Sequence, residues 1–265
     1  IKSYLVESRF NQNSRYLSGI QSVFYLKKLK IFDKIFTVDE ESKKALNRVK
    51  INNVVVSGSL KIERVKDYLK YNSNNNIIKS FKGDDLCIVC GSTWKEDEKI
   101  IFKYIEESKK EKIKWIIAPH DISKKNIERL KSVLISNYSI YSDISNNNVH
   151  GNILILNTIG DLKSVYRYSD ISYIGGGMGS SGLHNILEAC IYNKPVIIGK
   201  NYSGFIEAEQ LVESGGVASV KDYNEFKLEI EKLIYDKKNI MDKANIISNY
   251  IKTKTGALSV IQKQL

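Results

Sequence analysis

The chain has 265 residues, enough for one large domain or two small ones with an ample core. Hydrophobic residues make up 42% of it and charged residues 27%, and no apolar run is long enough to cross a bilayer, which excludes a membrane-spanning helix. Lys and Arg outnumber Asp and Glu by 41 to 30, and the net charge of +11 favours anionic partners: nucleotides, nucleic acid or an acidic membrane surface. The basic residues are scattered (Lys27, Lys28 and Lys30, then Lys109, Lys110, Lys112 and Lys114) with no aromatic-interleaved stripe, so they read as a solvated face and not as a nucleic-acid surface.

In chain order, residues 1–10 read as a strand entering a helix. Continuous apolar runs follow at 34–38 (KIFTV), 53–57 (NVVVS), 86–90 (LCIVC), 114–118 (KWIIA), 153–156 (ILIL), 171–174 (ISYI) and 196–198 (VII). Such runs, without polar alternation, are expected of parallel strands covered on both faces. Helical stretches separate them at 96–109, 126–136, 160–168, 183–192 and 206–214; in the first, Ile100, Ile101, Tyr104 and Ile105 recur at helical period. The alternation implies an α/β fold with a doubly wound parallel sheet, about six strand–helix units lying between Leu86 and Val220. Asn-rich stretches at 72–76 and 146–148 read as exposed loops. Pro119 and Pro195, the two prolines, punctuate strand boundaries.

Cys87 and Cys90 have CxxC spacing but lie inside a strand. With Cys190 they read as buried free thiols of a reducing, cytoplasmic compartment, since a zinc site needs a second pair and a redox pair opens a helix. His150 lies just after the second Asn-rich stretch, and no His or Cys set has metal-site spacing.

Four strand ends carry the chemistry. Gly91-Ser92-Thr93-Trp94 leads into the helix at 96, with Thr93 and Glu96 at capping-box spacing; it reads either as a cap alone or as hydroxyls facing a ligand. Ala118-Pro119-His120-Asp121 ends the next strand at the same sheet edge. Asn157-Thr158-Ile159-Gly160 ends another, and is either a plain turn or a close approach to a base or ribose. The densest signal is ISYIGGGMGSSGLHNILE at 171–188, where Gly175, Gly176, Gly177, Gly179 and Gly182 fall within eight residues. Glycine permits sharp turns and close ligand approach, and a helix starting behind the turn would aim its N–H groups and dipole at a phosphate. On that helix His184, Asn185 and Glu188, at i,i+3 and i,i+4 spacing, would face one pocket, against the alternative of a solvent-facing pair.

GSTW at 91–94, APHD at 118–121, NTIGDLKSVYRYSDISYIGGG at 157–177, GLHNILEA at 182–189, KPVIIGKNYSGFIEAEQL at 194–211 and the segment at 32–65 together resemble the 3-deoxy-D-manno-octulosonic acid (Kdo) transferases of lipopolysaccharide synthesis. These are GT-B glycosyltransferases. The resemblance covers nearly the whole chain and implies the C-terminal half of such an enzyme plus the end of its N-terminal domain. The expected division is an incomplete N-terminal Rossmann-like α/β domain at 1–58, an interdomain region at 59–83, a Rossmann-like nucleotide-sugar domain at 84–245, and a C-terminal helix at 246–265 packing back on the N-terminal part.

The resemblance implies transfer of Kdo from CMP-Kdo to a lipid A precursor at the cytoplasmic face of the inner membrane, with no metal and no cofactor beyond the donor substrate. Partners would be the donor, the lipid acceptor and an anionic membrane surface. On the same basis Ser92 and Thr93 would line the donor pocket with Pro119 and His120, and Ile159 and Gly160 would approach the cytidine. Gly176, Gly177 and Gly179 would make room for phosphate, and His184, Asn185 and Glu188 would hold phosphate or ribose. Many members carry Pro-Arg-His where this chain has Pro119-His120-Asp121. The family's general base, a glutamate early in the N-terminal domain, finds no match, Glu7 included, so this chain alone is expected to hold the donor without activating the acceptor. The competing expectations are a GT-B transferase or epimerase using a UDP-sugar, and a non-catalytic nucleotide-binding module.

Overall fold

Short apolar strands alternating with helices recur along the chain, and this repetition builds two parallel sheets. The computed structural model describes residues 1–11, 14, 16–19, 22–70, 75–108, 112–134, 137–145 and 149–265. They form two compact units, Ile1–Asp67 with Tyr250–Leu265, and Tyr68–Asn249.

In the first unit β1 (Tyr4–Ser8), β2 (Lys34–Thr37) and β3 (Val54–Val56) pair in parallel, in the order β1-β2-β3. Helices α1 (Ser22–Leu29), α2 (Glu40–Arg48) and α3 (Leu60–Lys70) alternate with them. Leu17, Leu29, Ile35, Ala45, Leu46, Ile51 and Val54 close the core. Asp39 caps α2 by accepting from the Ser42 amide. Residues 1–10 do not run from strand into helix: the Phe10 amide donates to Ser42 Oγ at 3.0 Å, and the first helix begins at Ser22. Glu7, at φ 55°, takes the Ser59 hydroxyl at 2.7 Å and the Leu60 amide at 2.6 Å, so its carboxylate caps α3. The C-terminal helix Ala257–Gln262 belongs to this unit, and the Gly256 amide donates to Glu63.

The second unit carries a seven-stranded, wholly parallel sheet. In chain order its elements are α4 (Asn76–Lys82), β4 (Leu86–Thr93), α5 (Lys95–Ser108), β5 (Ile113–Pro119), α6 (Lys124–Val133), β6 (Tyr138–Ile140), β7 (Ile153–Ile155), α7 (Leu162–Val165), β8 (Ile171–Ile174), α8 (Leu187–Cys190), β9 (Val196–Gly199), α9 (Ile206–Glu213), β10 (Val217–Val220), α10 (Tyr223–Tyr235) and α11 (Lys237–Thr253). The order across the sheet is β10-β9-β8-β4-β5-β7-β6. Every residue of β7, β8 and β9 is buried, the physical content of their unbroken apolar runs. Trp115, Tyr104, Phe226 and Tyr173 meet edge-on in the core, at centroid distances of 5.8–5.9 Å.

Several expected boundaries shift. The stretch at 72–76 is not all loop: Asn75 caps α4 by accepting from the Ile78 amide, and Asn76 is helical, while residues 72–74 lie outside the described residues, as do 146–148. The helix expected at 160–168 is the short α7 followed by a 3-10 turn at Tyr166–Tyr168. The helix expected at 183–192 shrinks to α8, because the His184 amide donates to the Gly175 carbonyl at 3.2 Å and Asn185 Oδ1 takes the Leu187 amide at 3.1 Å. Both bonds hold the chain in a turn. The three-residue edge strand β6 is half-buried and shows no apolar run, so the sequence pattern does not mark it.

Candidate functional site

The central strand β4 has β5 on one side and β8 on the other, so the chain leaves it in one direction and returns on the opposite side. Open α/β sheets bind ligands at such a switch point, outside the carboxyl ends of the strands. Here those ends are Gly91-Ser92-Thr93 and Gly175-Gly176-Gly177. The register of β4 against β5 shifts between Gly91 and Thr93, and Ser92 takes φ 53°, a left-handed conformation costly for a residue with a Cβ. Strain of this kind concentrates at functional sites.

Behind Ser92 a buried carboxylate ties the two strand ends together. Asp97, fully buried near the start of α5, accepts from the Trp94 amide at 2.9 Å, the Gly176 amide at 2.8 Å and the Tyr173 hydroxyl at 2.7 Å. The helix start is therefore capped by Asp97 reaching back to Trp94, one residue beyond the expected Thr93–Glu96 box. Thr93 is buried and its hydroxyl donates to Glu98 Oε1 at 3.1 Å, while its carbonyl takes the His120 amide at 2.9 Å. Glu98, also buried, pairs with Arg129 of α6. Burial pushes the Glu98 carboxyl above its usual range, against the opposing pull of the Arg129 guanidinium.

In front of this knot three rings stack. Trp94 and His120 lie 4.6 Å apart at 21°, and His120 and His184 4.5 Å apart at 31°. Trp94 Nε1 donates to His184 Nε2 at 3.2 Å. Burial, and then the neighbouring His120, push the His184 pKa down, with Asp97 opposing. Beside the stack a cavity of about 360 Å³ opens between Thr93, Trp94, Lys95, Glu98, Asn126 and Arg129.

The structure thus gathers Ser92, Thr93, Pro119, His120, Gly176, Gly177, Gly179 and His184 at one sheet edge. On the side where a Cβ would stand, these glycines are crowded by the protein's own atoms. A Cβ on Gly176 (φ 91°) would stand 2.0 Å from the Gly182 carbonyl oxygen, and one on Gly177 would stand 2.9 Å from the Gly199 amide nitrogen. A Cβ on Gly179 would press on the Glu96 carboxylate at 3.0 Å. On the Cβ side the room at these positions is filled by the protein itself, and the Gly176 N–H donates to Asp97. The turn is followed by four residues of helix with no side-chain cap, so the expected helix-dipole cradle is absent.

His184, Asn185 and Glu188 do not line one helical face, because the first two precede α8. Asn185 is exposed and bonded locally, and Glu188 is the charged neighbour of the buried Tyr166, whose hydroxyl oxygen lies where a Gly91 Cβ would stand. Ile159 is 89% exposed, and a Cβ at Gly160 would meet nothing within 4 Å. The sequence pattern alone does not single out Trp94, Asp97 or the Glu98–Arg129 pair. The available signal was an Asp three residues beyond the aromatic residue that opens α5. Among the described residues no group of three His, Cys, Asp or Glu is placed to hold a metal, and no helix is long and apolar enough to cross a membrane.

No family model matches the chain. Over 250 residues it is 29% identical to a bifunctional glycosyltransferase/methyltransferase of Fusobacterium nucleatum, covering 90% of this chain and 37% of that protein. Over 257 residues it is 26% identical to the 3-deoxy-D-manno-octulosonic acid transferase of Rickettsia bellii, covering 94% and 60%. The chain is a relative of the Kdo transferases. It spans less than two thirds of the length of these relatives.

Among solved structures, the C-terminal CMP-Kdo binding domain of WaaA from Acinetobacter baumannii matches with a TM-score of 0.57 and 15% identity, over 73% of this chain and 97% of that one. The UDP-GlcNAc 2-epimerase of Neisseria meningitidis bound to UDP-GlcNAc matches with a TM-score of 0.68 and 18% identity, over 99% and 69%. At these identities the likeness is one of fold, and the fold is the GT-B type of α/β architecture.

Proposed function

We propose that this Kdo transferase relative binds a CMP-activated sugar at the β4–β8 switch point, as the donor-holding part of an enzyme that transfers Kdo from CMP-Kdo to a lipid A precursor. The observation that carries the reading is the juxtaposition of strained Ser92 with the exposed His120 ring at the carboxyl edge of the sheet, in a chain whose sequence relatives include Kdo transferases. His120 and the Ser92 hydroxyl would meet the phosphate, and the exposed Ile159 side chain offers apolar surface to the pyrimidine. The acceptor hydroxyl would displace CMP directly at the anomeric carbon, its proton passing to a base and the leaving phosphate stabilised electrostatically. The reading needs no metal and no further cofactor, and it assigns no acceptor base to this chain.

The lipid acceptor places the reaction at a membrane, for which we infer the inner membrane's cytoplasmic face. The +11 charge supports attraction to an anionic surface. So does α1, where Val23 (61% exposed) and Phe24 (59%) stand beside Lys27 and Lys28.

Calorimetric titration with CMP tests the donor site, with UDP as competitor because epimerases that bind UDP-sugars share the fold. The expected result is saturable CMP binding that UDP does not displace. A folded protein that takes up no CMP at millimolar concentration, or that prefers UDP, overturns the reading.

A further inference from the structure

The stacked rings constrain where a proton can reside. An indole N–H donates and never accepts, so the Trp94 Nε1 bond requires a lone pair on His184 Nε2, which leaves the His184 proton on Nδ1 and the ring neutral. Two imidazolium rings 4.5 Å apart would repel, so the His120–His184 pair holds no more than one proton near neutral pH. That proton belongs on His120. This ring is exposed and lies flat against the indole face, which favours a cation electrostatically.

The other charges around the pair come from three elements. Asp121 follows His120 directly, and its carboxyl is held below the usual range by the Ser123 amide and hydroxyl, with His120 and Arg129 contributing. Asp97 of α5 acts on His184 from behind, locked in bonds to Trp94, Gly176 and Tyr173. Arg129 of α6 is engaged by Glu98 and Asn126. Lys95 and Glu96 of α5 line the neighbouring cavity with Arg129, and the imidazole of His120 is the group at the stack that can gain a positive charge together with its anion.

We propose that His120 is the proton-coupled anion receptor of this site: as a nucleotide phosphate binds, the His120 imidazole takes up one proton from solvent and the imidazolium pairs with the phosphate. Trp94 and His184 are positioning residues, the first holding the second neutral so that the charge falls on His120. The proposal rests on the donor-site reading and adds a property to it, a binding constant linked to one proton. Uptake of one proton per nucleotide makes affinity fall by about tenfold per pH unit.

The test is CMP calorimetry at pH 6.5, 7.5 and 8.5, in two buffers of different ionisation enthalpy, on wild type and H120R. The difference between the proteins cancels the nucleotide's own protonation. Wild type is expected to take up close to one more proton per CMP than H120R at pH 8.5, and its affinity to fall steeply with pH while that of H120R stays nearly level. Equal proton uptake by the two proteins, with CMP bound, overturns this proposal and leaves the donor reading standing; absence of CMP binding to wild type overturns the donor reading itself. Imidazole nitrogen NMR shifts give an independent check. The Nδ1–H tautomer is expected at His184 in wild type and lost in W94F, and a charged His184 in wild type at pH 7 also overturns the proposal.

Discussion

Gly176 and Gly160 share a backbone conformation, at φ 91° and 93°, and differ in what surrounds them. A Cβ at 160 meets nothing within 4 Å, whereas one at 176 collides with a backbone carbonyl. Gly160→Ala is therefore expected to cost only the left-handed penalty, about 1–2 kcal/mol. Gly176→Ala carries the same penalty plus an overpacking cost of about 1–3 kcal/mol. Urea denaturation of both variants checks the ranking, and near-equal losses would show that the turn around Gly176 relaxes freely. The contrast also marks what the sequence could disclose. A cluster of glycines announces crowding or unusual φ, but says nothing of whose atoms do the crowding. At Gly176 the protein's own backbone does, and the stacking of Trp94, His120 and His184 was hidden because it depends on three strand ends far apart in sequence.

Between elements, the contact that decides most is the Glu98–Arg129 pair joining α5 to α6. The Glu98 side chain is 2% exposed and that of Arg129 27%, so removing the guanidinium leaves a buried carboxyl without its partner, a change that typically costs about 3–5 kcal/mol. The Glu98 carboxyl already sits above its ordinary range through burial. A group whose pKa is raised by folding binds its proton more tightly in the native state, so its contribution is complete at low pH and is lost as pH rises through the folded value. Arg129→Met raises that pKa further. The variant is expected to be destabilised more at pH 8 than at pH 5, where Glu98 can stay protonated. Unfolding curves at the two pH values measure this, and an equal loss at both would mean that Glu98 is not the group responsible.

Elements of this sort were partly legible beforehand. The long apolar period of α5 located that helix closely, and the buried parallel strands declared themselves through unbroken Val and Ile runs. The segment from Leu183 to Ile186 did not, because side-chain and glycine-turn bonds hold it open despite a helical-looking pattern.

At the scale of the whole molecule, the sheet order could not be read from pattern alone, since period and length identify strands but not their neighbours. That order puts β4 beside β8 and so creates the switch-point crevice. Net charge, by contrast, is fully visible in the sequence, and it acts over distances where fold detail matters little. A charge of +11 should draw the protein to an anionic bilayer and fade as salt shortens the screening length to about 3 Å at 1 M. Co-sedimentation with vesicles containing phosphatidylglycerol is expected at low salt and is expected to be lost at high salt, with little binding to phosphatidylcholine alone. On α1, where Lys28 lies 4.3 Å over the Phe24 ring, each basic side chain at the surface contributes about 1 kcal/mol. The double substitution K27A/K28A should then weaken partitioning by more than about tenfold if α1 faces the lipid. Undiminished binding by that variant would assign the attraction to the diffuse charge of the whole chain, and salt-independent binding to neutral vesicles would remove the electrostatic account altogether.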